Sequence, residues 1–156
     1  MKRLLIALLL ALPFGATAQT RAFDDFYEDY AGADGYRSVE LGRPMMRMMA
    51  SGADPELAQL LENIRRIRIV AAARPAPFFW TRAREIASRG GYELISRTED
   101  DGRSASFYFI DGSGKKLSEL LMLSKNKQEL VVLNICGEFD VRDISRLTRL
   151  KIGASE

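Results

Sequence analysis

The apolar positions of this chain repeat with two different periods, helical at first and alternating later. An unbroken apolar run, Leu4 to Leu12, comes before both. Phe23, Phe26, Tyr27 and Tyr30 then fall at i, i+3, i+4 and i+7, with Asp24, Asp25, Glu28 and Asp29 between them. That spacing predicts a short helix with one aromatic and one acidic face, stopped by Gly32 and Asp34-Gly35. Tyr36 to Leu41 is β-prone. Pro44 suits the first position of a helix carrying Met45, Met46, Met48 and Met49, which Ser51-Gly52 ends. Asp54-Pro55 reads as an N-cap with proline behind it, opening a helix through Leu57, Leu60, Leu61 and Ile64. Ile67 and Ile69 alternate with Arg66 and Arg68, as in a strand. Pro75 and Pro77 precede a further helix, with Phe79, Ala83, Ile86 and Ala87 on one face and Gly90-Gly91 as its stop.

From Tyr92 the alternating period takes over. Residues 92–98, 103–110, 117–123 and 128–136 are strand-like, joined by turn-forming sequences that include Asp101-Gly102, a strong hairpin signal. Asp140 is placed to cap a last helix bearing Val141, Ile144 and Leu147. The expected fold is α+β: a mostly antiparallel sheet with a C-terminal four-strand meander, its helices packed mainly on one face.

The opening run changes the picture of location. Lys2-Arg3, the apolar stretch, the break at Pro13 and Gly15, and the small residues of Ala16-Thr17-Ala18 make the three-part layout of a secretory signal peptide. Cleavage is expected between Ala18 and Gln19, giving a signal peptide over 1–18 and a single α+β domain over 19–156. The apolar run is about half of the roughly 20 residues a spanning helix requires, and no later run is longer. No cysteine follows the cleavage site, so lipidation there is excluded. The expected location is periplasmic or extracellular, with no integral membrane segment after cleavage. The formal charge of +2 resides in Lys2 and Arg3, so the mature domain is close to neutral and lacks the field that nucleic acid binding calls for.

Composition narrows the chemistry further. The chain contains no histidine and a single cysteine, Cys136. Histidine-dependent nucleophilic catalysis and imidazole metal ligation are thereby removed. No Gly-rich nucleotide loop or calcium-loop spacing is present, so no catalytic set, metal site or cofactor is expected. Cys136, beside Val131-Val132-Leu133-Asn134-Ile135, reads as a small core residue. The acids Asp24, Asp25, Glu28 and Asp29, and Glu99, Asp100 and Asp101, read as solvated surface. Arg66 and Arg68 are expected on an open sheet face, pairing with Glu93 or Glu129 across strands.

Two features fit a binding surface. Met45, Met46, Met48 and Met49 cannot all point to one side of a helix, and thioether side chains repack easily against partners. Arg142, Arg146 and Arg149, at i, i+4 and i+7, would form a cationic stripe on the last helix.

The segments FDDFYEDYAG, IRRIRIV, GGYELISR, LSELLMLSKN and LVVLNICGEFD resemble those of a family of small exported proteins of Gram-negative bacteria, domain-of-unknown-function family 4252. The resemblance implies export and one compact domain, and no known activity. Members often carry threonine at the position of Cys136, which weakens any special role for the thiol. The expected function is a non-enzymatic envelope protein that binds another protein or a surface ligand. The alternatives are a carboxylate-dependent enzyme acting on cell wall or glycan, and a small-molecule carrier with a cavity lined by Phe78, Phe79, Trp80 and Phe107.

Overall fold

The structure, a computed structural model, describes residues 15–73, 75–112, 116–140 and 142–143. Helix α1 (Gly15–Tyr30) leads into strand β1 (Tyr36–Gly42), then α2 (Arg43–Ser51), α3 (Pro55–Asn63), β2 (Ile64–Ala72) and α4 (Pro77–Arg89). Four strands complete the described order: β3 (Glu93–Asp100), β4 (Arg103–Asp111), β5 (Leu117–Lys125) and β6 (Leu130–Phe139). The sheet has six strands in the order β1-β2-β6-β5-β4-β3, every neighbour antiparallel. The expected meander is its β3-to-β6 portion, four of the six strands, and the α+β class holds.

Local chemistry accounts for several boundaries. Asp54 caps α3 by accepting from the Leu57 amide at 3.0 Å, and Pro55 takes the next position. The β3–β4 turn has Asp101 at φ 42° and Gly102 at φ 75°, a pair of left-handed conformations that Asp-Gly adopts readily. Gly137 faces Ile64 across the β2–β6 pairing, where a Cβ would stand 2.4 Å from the Asn63 carbonyl oxygen. The absent side chain there lets α3 turn directly into β2.

The helix layer differs from expectation. Strand residues alternate between faces, and they enter two separate cores. Val70, Leu121, Leu123 and Val132 pack with Phe23 and Phe26 of α1 and with Phe79, Ala83, Ile86 and Ala87 of α4. Ile67, Leu120 and Ile135 pack with Met46 and Ala50 of α2 and with Leu60 and Leu61 of α3. The helices therefore divide in pairs between the faces instead of gathering on one. The reason lies in β2, β5 and β6, whose buried residues fall on both faces of the sheet, so that both sides need cover.

Candidate functional site

The face under α1 and α4 is closed by aromatic packing. Phe79 sits 5.2 Å from Phe26, 5.0 Å from Tyr30 and 5.3 Å from Tyr36, ring centre to ring centre. Beside this cluster lies a buried polar network. Arg66 and Arg68 point from β2 toward α1, where Asp24 Oδ1 is 3.4 Å from the first and 2.7 Å from the second. Arg68 is only 4% exposed, and its guanidinium lies over the rings of Phe23 and Tyr27. These arginines are thus neither on an open face nor paired with Glu93 or Glu129; Glu129 binds Arg37. Asp24 is correspondingly an ion-pair partner, and Asp29 another, held by Arg82.

The network continues along the sheet. Arg68 donates to the Asn134 side-chain oxygen at 3.4 Å, as does the Cys136 thiol at 3.3 Å. The Asn134 amide donates to Glu119 Oε1 at 2.5 Å, and the Tyr92 hydroxyl donates to the same oxygen. Burial pushes the Glu119 carboxyl above the usual carboxylate range, against the opposing pull of those two donors and of Arg68. Burial likewise raises the Tyr92 hydroxyl and the Cys136 thiol, so neither is an activated nucleophile. Among the described residues Glu119 hydrogen-bonds an amide and a phenol and no carboxylate, and the Asp24 charge nearby adds to the upward push on its carboxyl. The arrangement fastens α1 to the sheet through Asp24 and Arg68 and satisfies most of its buried polar atoms; Arg68 Nε has no hydrogen-bond partner among the described residues.

The opposite face is built differently. Pairing register aligns Val39, Ile69, Leu133, Met122 and Phe107 in one row across five strands. All five are apolar, and none is fully buried; Val39 is 44% exposed. The neighbouring row, Leu41, Ile67, Ile135, Leu120 and Phe109, belongs to the core beneath α2 and α3. Helix α2 borders β1 and β2 and presents Met48, 63% exposed, and Met45 to solvent. Met46 is core and Met49 is half-buried. The four methionines are therefore divided, with two of them adding apolar surface on the helix beside the row.

The remaining candidates are dispersed. Arg142 is exposed and chelates Asp140, which also accepts from the Arg142 amide at 2.9 Å as a cap. Arg146 and Arg149 lie outside the described residues, as do Val141, Ile144 and Leu147. Ala18 and Gln19 fall within the span of α1. The aromatics expected to line one cavity go separate ways. Phe79 is core, Phe78 is 84% exposed, Phe107 is on the opposite face, and Trp80 lines an open cleft of about 620 Å³ with Pro75, Pro77, Lys125 and Lys127. Among the described residues no cluster of three or more metal-ligating side chains occurs, and no helix is long and apolar enough to cross a membrane.

Sequence reasoning missed Tyr92, Glu119 and Asn134 as a network and missed the apolar row altogether. A lone Glu and a lone Asn within otherwise apolar strands were the available signal for the first. The second depends on register, which single-strand patterns do not contain.

Comparisons with known proteins give a limited frame. No curated protein matches the sequence significantly. The solution structure of cyanobacterial PsbP (CyanoP) from Synechocystis sp. PCC 6803 is a distant neighbour at 13% identity, covering 75% of this chain and 76% of that one. Its TM-score of 0.28 is too low to support any argument about fold or function. The profile described as Domain of unknown function (DUF4252) matches residues 27–147, and the chain belongs to that family.

Proposed function

We propose that this protein is an exported, non-enzymatic binding module whose partly covered sheet face receives an amphipathic helix of another envelope protein. The observation that carries the reading is the half-exposed row Val39, Ile69, Leu133, Met122 and Phe107, with Met45 and Met48 on the helix beside it. Contiguous apolar surface of this kind marks interaction sites on soluble domains. The occupant follows from the layer in which the row lies. Helices α2 and α3, of nine residues each, already occupy part of this face. Five strands spaced about 4.8 Å apart leave a strip about 19 Å long. A helix of about 13 residues spans that length. Its apolar stripe would complete the layer beside α2, and the adaptable methionines would conform to its side chains.

Export rests on the leader-like residues 1–18, and the buried Glu119 hydrogen-bonds an amide and a phenol and no carboxylate, which argues against the carboxylate-dependent alternative. The test is position-specific cross-linking in intact cells. A photo-reactive residue replacing Met122 should capture one protein, joined through an apolar helical segment. The same residue replacing exposed Asp25 on α1 should not capture it. Equal capture from both positions, or none from Met122, would refute the reading.

A further inference from the structure

The two edges of the sheet are protected unequally. Edge strand β3 carries Glu93, Arg97, Glu99 and Asp100, and a register irregularity falls between Leu94 and Ser96. Charges and bulges on an edge discourage pairing with another chain. Edge strand β1 has neither safeguard in full. It pairs with β2 over all seven residues without a bulge, contains no proline, and places apolar Val39 at its midpoint, half-exposed. Val39 is also the outermost member of the apolar row, so that row runs uninterrupted to the free edge.

We propose that β1 is a homodimerisation edge: two copies pair antiparallel through it, about a two-fold axis at Val39, to form one continuous sheet. The occupant follows from the self-complementarity of the strand. Centring on Val39 sets Val39 against its own copy, Arg37 against Leu41, Ser38 against Glu40 and Tyr36 against Gly42, so all seven residues pair and no like charges face each other. Centring on Arg37 or on Glu40 would oppose identical charges, which is destabilising. Centring on Ser38 would pair only five residues and leave Leu41 without a partner on the second strand. In the Val39 register the apolar rows of the two copies join end to end.

The proposal is independent of the partner-binding reading, because it concerns the backbone edge and the self-pairing of one strand. Its test uses the purified protein at concentrations from about 1 µM to about 100 µM, with mass measured by light scattering and sedimentation. A dimer is expected. Val39→Lys places two ammonium groups face to face on the axis and should weaken dimerisation at least about 100-fold. Val39→Thr, a β-branched replacement without charge, should retain the dimer. Melting of each variant shows that loss of the dimer is not loss of the fold. In a Cys136→Ser background, Val39→Cys should oxidise to a disulfide-linked dimer, whereas Glu40→Cys, opposite Ser38, should not. A monomer throughout that concentration range would overturn the proposal. So would a dimer indifferent to Val39→Lys, or an oxidised dimer formed equally well from position 40.

Discussion

The two faces of the sheet spend similar sequence on opposite ends. One is closed by α1 and α4, of 16 and 13 residues, whose aromatic side chains converge on Phe79. Beneath that cover lie the ionic and hydrogen-bonded groups Asp24, Arg68, Asn134 and Glu119. The other face has two nine-residue helices over part of its area and, among the described residues, no comparable polar network; its open row is apolar. Arg68, Asn134 and Glu119 are thus buried under one helix pair, and apolar groups are left partly open to water on the other face. Exposed apolar surface costs solubility, so this is the face on which a function in binding is most economically placed.

That contrast can be broken at the closed face first. Phe79→Ala removes a fully buried ring contacted by three aromatic neighbours, and it should lower stability by about 4 kcal/mol in denaturant titration. Asp24→Ala should cost about 3 kcal/mol, because Arg68 would keep its charge in a buried position without its anion. Asp24 is itself about one-third exposed, so a value toward the lower end of the range for buried pairs applies.

The buried carboxyl gives a pH signature. Glu119 has a folded pKa above its unfolded value, so between the two the folded state holds a proton that the unfolded state has released. Stability from this group is therefore greatest below the ordinary carboxylate range and falls as pH rises through it toward the raised folded value. Glu119→Gln should flatten that part of the stability–pH curve measured by thermal melting. A curve that keeps its full slope would assign the dependence to other groups.

The smallest stability effect is expected on the open face. Met122→Gln, at a half-exposed position of the row, should change stability by less than about 1 kcal/mol. The comparison sharpens if this variant nevertheless abolishes partner capture. It fails if Met122→Gln destabilises the protein as much as Phe79→Ala does.

The sequence made much of the scaffold legible, for identifiable reasons. The aromatic face of α1, the Asp54 cap and the Asp101-Gly102 turn are local chemistry, and each appears where its residues stand. Alternation at Arg66 and Arg68 also told correctly that both share a face. It did not tell which helix would cover them, because that depends on contacts with Asp24, more than forty positions away. The division of the helices between faces was hidden for a similar reason: a strand apolar on both sides does not announce which helix lies on which side. The methionine cluster was readable as a divided one, although which residue points inward was not; the structure puts Met46 inward and Met48 outward. The row beside it arises only when five strands take their register. The cationic stripe remains an expectation, since two of its three arginines lie outside the described residues.

The most direct test of the binding account is the affinity of the complex captured through Met122, measured with the double substitution Met122→Gln and Leu133→Thr. Both positions are partly buried members of the row, and Leu133 borders the core beneath α2 and α3. The account predicts that Kd rises at least about 10-fold while the melting temperature of the free protein shifts by only a few degrees. An unchanged Kd in a folded double variant would contradict it and place the partner surface elsewhere on the molecule.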